Sequence, residues 1–366
     1  MPDDTVDHAL LRHHGDVDAA PGLLDFAVNV QGAAPPRWLR DRLAARLADL
    51  ARYPSAADDL AARAAVAARH GRTPAEVLLL SGAAEGFTLL PRLRPRLAAV
   101  VHPSFTEPEL ALREAGVAVT RVVLAEPYVL DPAAVPEAAD LVVLGNPTNP
   151  TSVLHPAATL RALRRPGRLV VVDEAFMDAV PGEPHSLAGA ASPDVLVVRS
   201  LTKTWALAGL RCGYFLGDPA VLARLAEGRP HWPLGTLQLE AIAATADPRA
   251  VADAADLARR LAEDRAALVA DLRALGVAVH TPADGPFLLL RVDDGELVRK
   301  HLAGLGIAVR RADTFPGLTP DHLRVAVRGP RERAALVAAL SSTPGWPAAR
   351  TGAAASVQPT RPPETR

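Results

Sequence analysis

The chain of 366 residues holds a single cysteine, Cys212, so no intrachain disulfide can form and a reducing compartment, the cytoplasm, is the expectation. Aromatic residues are also scarce, at seven Phe, four Trp and three Tyr. No apolar run approaches the roughly 20 residues of a membrane span, and the opening Met1-Pro2-Asp3-Asp4 lacks the basic-then-apolar order of a secretion signal. No membrane partner is expected. Neither sign of charge is in excess, with 40 Lys and Arg against 41 Asp and Glu, so no general field draws the chain to nucleic acid. The 11 histidines show no ligand spacing with Cys212, which disfavours a zinc enzyme. No G-x-G-x-x-G follows a strand-like run, which disfavours a dinucleotide enzyme.

What is present is an alternation of short Val/Leu runs with longer Ala-, Leu- and Arg-rich amphipathic segments, the signature of an α/β fold with a mostly parallel sheet covered by helices. Strands are predicted over 77–80, 97–101, 117–124, 141–144, 169–172 and 195–198, and helices near 37–51, 57–69, 83–91, 156–164 and 219–227. A long amphipathic stretch, 248–275, predicts a helix leading from a large domain into a smaller α+β one, whose strands lie near 277–279, 287–291 and 323–327 around a helix at 295–304. The predicted division is an N-terminal segment over 1–35 that folds as a lid onto the small domain, a large domain over 36–245, a small domain over 246–345, and a disordered tail over 346–366, rich in Pro, Ala, Thr and Arg.

Three predicted strands end in chemistry. Val195-Leu196-Val197-Val198 leads into Ser200-Leu201-Thr202-Lys203, with Arg211 eight residues on. An amine at the carboxyl end of a buried strand sits where open α/β sheets bind ligands; it can condense with an aldehyde cofactor while Ser200, Thr202 and Arg211 hold a phosphate. Leu169-Val170-Val171-Val172 leads into Asp173-Glu174-Ala175-Phe176, and a carboxylate beside a pyridine nitrogen keeps that nitrogen protonated. Leu141-Val142-Val143-Leu144 leads into Gly145-Asn146-Pro147-Thr148-Asn149-Pro150-Thr151, a rigid turn able to aim an amide at a ring hydroxyl. Each alone has an ordinary reading as surface or turn. The ordered trio points to pyridoxal phosphate.

NPTNPT, DEAF, SLTK and the later arginine, in that order, resemble the fold-type I pyridoxal-phosphate enzymes of the aspartate aminotransferase superfamily, class I/II. The resemblance spans roughly residues 10 to 340 and includes LLDFAVNV (23–30), RYPSA (52–56), HPSFTEPE (102–109), VVDEAFMD (171–178), RSLTKTWALAGLRCGY (199–214) and FPGLTPDHLRVAVR (315–328). Within the superfamily, these segments are most similar to the threonine-phosphate decarboxylase branch, near the histidinol-phosphate aminotransferases. The resemblance implies an enzyme with Lys203 and Asp173 as catalytic residues. It implies a cofactor cradle of Ser200, Thr202, Arg211 and the backbone amides of Ala83 and Ala84, Asn149 toward the ring oxygen, and Phe105 and Ala175 on the two ring faces. Tyr53 matches a tyrosine that reaches the neighbouring subunit's cofactor, which implies a homodimer with a shared site. For the substrate it implies Arg324 as a carboxylate fork, Arg310 as a second anion receptor with Arg311 beside it, and Asn29 and His14 in the N-terminal lid.

Two positions depart from the pattern. Phe176 stands where many aminotransferases carry a tyrosine whose hydroxyl reaches the ring oxygen, and Ser152 stands where relatives have glycine. The leading expectation is a decarboxylase of threonine phosphate, serving cobalamin biosynthesis through aminopropanol phosphate; the alternative is amino transfer of the histidinol-phosphate type to 2-oxoglutarate. Which outcome follows depends on which substrate bond stands perpendicular to the cofactor ring. A ligand-sensing DNA-binding regulator would need a helix-turn-helix module ahead of LLDFAVNV, where only about twenty residues stand, too few by domain size.

Overall fold

A computed structural model describes residues 8–13, 15–19, 22–189 and 191–344. The predicted tail and His14 lie outside these residues. Thirteen strands are present among them: β1 (Leu24–Asp25), β2 (Val77–Leu80), β3 (Ala98–His102), β4 (Val119–Val123), β5 (Leu141–Gly145), β6 (Leu169–Asp173), β7 (Val195–Ser200), β8 (Gly213–Leu216), β9 (Ala278–Val279), β10 (Phe287–Arg291), β11 (Ile307–Ala308), β12 (Arg310–Arg311) and β13 (His322–Ala326). Seven form one sheet in the order β2-β8-β7-β6-β5-β3-β4. All run parallel except β8, which is antiparallel to both its neighbours. The fold class is thus the α/β one that the alternation of runs and helices predicts.

The strands lack polar alternation because both sheet faces are covered. Val142, Leu144, Val170, Val172 and Val197 pack on one side with Val66 and Ile242 from helices Ala56–His70 and Thr236–Thr245. Leu141, Val143, Val171, Leu196 and Val198 pack on the other with Phe87 and Leu112. Each such side chain contributes roughly 1.5–3 kcal/mol by leaving water. Helix Ala56–His70 starts where the Ser55 side chain accepts the Asp58 N–H and stops at Gly71, whose φ of 64° suits a residue without a side chain. Strand β8 and helices Glu107–Glu114, Thr236–Thr245 and Pro330–Ser341 were not among the predicted elements. β8 and Glu107–Glu114 are short, and Thr236–Thr245 and Pro330–Ser341 carry almost no amphipathic period to mark them.

Helix Pro248–Ala274 is about 40 Å long by its 27 residues. Ala250 and Ala254 at its start join the core of the large sheet, whereas Leu268 and Leu272 near its end join a second core. That second core lies against a four-stranded antiparallel sheet, β12-β13-β10-β9. Its Leu288, Leu290, Leu323 and Val325 face three helices, while the opposite face carries Phe287, Leu289 and the cross-strand partners Arg310 and Arg324. This arginine-bearing face looks at the carboxyl ends of the large sheet. Residues 24–31 stitch the two bodies together: β1 pairs with β11, the Arg328 guanidinium donates to the carbonyls of Asp25, Val28 and Val30, and the Gln31 N–H donates to the Lys203 carbonyl at 2.9 Å.

Candidate active site

Where β5, β6 and β7 end, the chain leaves the sheet in three consecutive loops that wall a cavity of about 500 Å³. Lys203, Asp173, Asn149, Ser200, Thr202, Arg211, Ala83, Ala84, Phe105, Ala175, Asn29, Arg310 and Arg324 all line it. Tyr53 does not, being 74 % exposed and stacked on Trp232 at 4.1 Å between ring centroids. His13 also lines the cavity.

The floor is electrostatically uneven. Burial pushes the Asp173 carboxyl up to about 7, while the Ala175 N–H and the Lys203 ammonium pull the other way and the Glu174 carboxylate adds to the rise. Desolvation thus outweighs the Lys203 charge at Asp173. The next residue is tied more fully: Glu174 accepts from the Arg199 Nε at 3.0 Å and from Ser186 and the Leu187 N–H, deeper under the sheet end.

One side of the cavity gathers anion-binding groups. Ser200 and Thr202 share a hydroxyl bond of 2.7 Å. Helix Ala83–Leu89 begins beside them with no side-chain cap at Gly82, which leaves the helix's positive end to the cavity. Gly82 has φ of 79°, and a Cβ there would stand 2.7 Å from the Arg211 Nη2, so glycine lets the guanidinium lie against the helix start. A residue the sequence does not flag holds this arrangement. Gln238 donates to the Arg211 carbonyl at 2.7 Å and to the Ser81 hydroxyl at 3.1 Å.

The roof belongs to the arginine-bearing sheet. Arg324 donates from Nη1 to the Asn149 Oδ1 at 2.7 Å and from Nη2 to the Ala27 carbonyl, which leaves Nε buried without a partner. Burial lowers its pKa to about 9. Asn29 Oδ1 is likewise buried and unpartnered. Arg310, packed over Phe315 at 5.1 Å, bonds Asp18, the His13 carbonyl, Thr314 and the Arg311 carbonyl. Phe176 packs edge-on against Phe287 at 4.9 Å, so the ring that replaces a tyrosine joins the two sheets. Ser152 has φ of 66°, a region costly for a residue with a side chain. Its hydroxyl offsets this by accepting the buried Gly285 N–H at 2.7 Å.

The model for aminotransferase class I and II matches residues 22–340. The chain belongs to this family. Its enzymes use pyridoxal phosphate, and this chain is a pyridoxal-phosphate-dependent enzyme. It is 60 % identical over 338 residues to a histidinol-phosphate aminotransferase of Mycobacterium tuberculosis, covering 92 % of each chain. It is 31 % identical over 335 residues to the threonine-phosphate decarboxylase of Salmonella typhimurium, covering 87 % of this chain and 90 % of that one. The fold also matches the crystal structure of histidinol-phosphate aminotransferase from Sinorhizobium meliloti in complex with pyridoxal 5'-phosphate, with a TM-score of 0.76, 22 % identity, and 87 % and 90 % of the two chains covered.

The cavity suits that cofactor on its own geometry. A phosphate fits the uncapped helix start with Arg211, Ser200 and Thr202, and a protonated ring nitrogen fits a carboxylate whose ionisation burial opposes. Among the described residues, no helix is long and apolar enough to cross a membrane, and no group of three or more His, Cys, Asp or Glu side chains is placed to hold a metal.

Proposed function

We propose that the chain transfers an amino group between a phosphorylated amine or amino acid of the histidinol-phosphate class and 2-oxoglutarate. The observation that carries this reading is the 60 % identity, across 92 % of both chains, to histidinol-phosphate aminotransferase, against 31 % to threonine-phosphate decarboxylase. It moves the weight from decarboxylation, the leading expectation from the sequence, to its alternative.

Pyridoxal phosphate, when bound, supplies a ring that accepts the electron pair of the bond broken at the substrate's α-carbon. Lys203 would be the covalent anchor, and its amine, when free, would carry the proton removed from the α-carbon. Asp173 holds the ring nitrogen protonated, and that positive charge keeps its own carboxyl ionised at neutral pH. Ser200, Thr202, Arg211 and the amides of Ala83 and Ala84 hold the cofactor phosphate. Phe105 and Ala175 flank the ring, and Asn149 offers its Nδ2 to the ring oxygen, since its Oδ1 already accepts from Arg324. Asn29 orients the substrate beside Arg324.

The same bond bears on the choice of reaction. Arg324 is tied at two points, to Asn149 and to Ala27, so it presents its remaining N–H groups from a fixed place on the cavity roof. A substrate carboxylate held there would be retained, which would favour loss of the α-proton. Proton loss would lead to amino transfer, whereas a carboxylate left free to depart would give carbon dioxide. Tyr53, stacked on Trp232 and exposed as are Leu47, Leu50 and Leu60, supports a homodimer in which Tyr53 reaches the other copy's cavity.

Purified holoenzyme mixed with histidinol phosphate and 2-oxoglutarate is expected to form glutamate. Carbon dioxide from threonine phosphate, with no glutamate from histidinol phosphate, would reject amino transfer in favour of the decarboxylase reading.

A further inference from the structure

The two roof arginines differ in how many donors they have left. A guanidinium carries five N–H groups, four of them on its terminal nitrogens. In Arg324 only one bond is made from each terminal nitrogen and Nε is unpartnered. In Arg310 all four terminal donors are taken: Nη1 by Asp18 Oδ2 at 3.3 Å and the Arg311 carbonyl at 2.7 Å, Nη2 by the His13 carbonyl at 2.8 Å and Thr314 Oγ1 at 2.7 Å. A fork grip on an incoming anion needs two of those donors.

Among these four acceptors only Asp18 is charged. Its side chain is 5 % exposed, that of Arg310 2 %, and the same Asp18 oxygen also meets the His13 Nε2 at 3.2 Å. Arg310 and His13 both line the cavity, so Asp18 supplies from inside the protein the negative charge that a substrate's distal group would otherwise bring. A phosphate approaching Arg310 must displace this carboxylate or sit beside a like charge. Both cost binding energy, and the cost is greater for being out of water.

We propose that Asp18 is a specificity-determining residue: it competes with the substrate's distal anion for Arg310, weakening capture and easing release of phosphorylated substrate and product. The proposal rests on the reading that the distal group is an anion. It gives His13 and Asp18 a role in substrate exchange, because both hold Arg310. Thr314 and the Arg311 carbonyl stay in place to orient the released guanidinium.

The test is calorimetric titration of holoenzyme, whose own phosphate cradle is filled by cofactor, with inorganic phosphate. Asp18→Asn keeps the size and an acceptor oxygen while removing the charge, and is expected to tighten phosphate binding about fivefold. Thr314→Val removes a neutral partner and is expected to leave it within about twofold, and Asp18→Asn combined with Arg310→Gln is expected to lose the gain. In turnover, Asp18→Asn should lower KM for the phosphorylated substrate with little change in kcat, and leave KM for its dephosphorylated analogue unchanged. Unchanged or weaker phosphate binding in Asp18→Asn, or an equal gain in Thr314→Val, would overturn the proposal. Phosphate binding is read without turnover, so failure of amino transfer with histidinol phosphate would reject the proposed reaction while this result stood.

Discussion

Asp173 is held in a state that the protein alone does not favour. Moving a carboxyl from 3.8 to about 7 corresponds to ~4 kcal/mol of ionisation free energy. The folded protein binds this proton more tightly than the unfolded chain does, so without cofactor the penalty is absent below the unfolded value, grows as pH rises from about 4 to about 7, and is complete above. Asp173→Asn is therefore expected to raise the thermal midpoint of cofactor-free protein at pH 8 and to change it little near pH 4, as measured by scanning calorimetry. The same variant is expected to lose at least about a hundredfold in amino transfer, since a neutral amide cannot hold the ring nitrogen protonated. Burial of the three strand ends is legible from their uninterrupted apolar runs, which is why Lys203, Asp173 and Asn149 could be placed together before any coordinates. The Asp18 to Arg310 pair was not legible. It joins residues 292 apart through a segment with no strong pattern.

Beneath the site, β6 and β7 are tied by one side chain. Arg199 bonds Glu174, Asp178 at 2.6 Å, Glu183 and Ser186, while Arg69 also meets Asp178 at 2.8 Å. Arg199 thus anchors the segment from 174 to 186 against the strand that leads to Lys203. Arg199→Met would leave Glu174 buried without its cation and Asp178 with Arg69 alone, and is expected to cost ~3–5 kcal/mol in urea unfolding. At the turn after β5, Ser152→Ala keeps the unfavourable φ and leaves the buried Gly285 N–H unpaired, at an expected ~1–3 kcal/mol. Ser152→Gly relieves the backbone and should cost less. Long elements with a clear period, such as Pro248–Ala274, could be read within a residue or two; β8 and the Arg199 cluster depend on contacts between distant segments, which no local pattern records.

At the scale of the whole molecule, the site exists because two sheets face each other across the strand ends, one bringing the lysine and acid, the other the arginines. The α/β class and the α+β second body follow from the order of runs, but the meeting of the two faces rests on Phe176 against Phe287 and on Arg324 with Asn149. A homodimer would cover Leu47, Leu50, Tyr53 and Trp232. On the proposed homodimer, Leu50→Asp is expected to give monomer by analytical ultracentrifugation and, with Tyr53 withdrawn from the other copy, to lower cofactor occupancy. We propose that one amine, that of Lys203, carries the cofactor at the meeting point of the two sheets. Borohydride reduction of the holoenzyme followed by peptide mass mapping tests this: the pyridoxyl label is expected on Lys203, and an unlabelled Lys203 in folded, cofactor-saturated protein would contradict it.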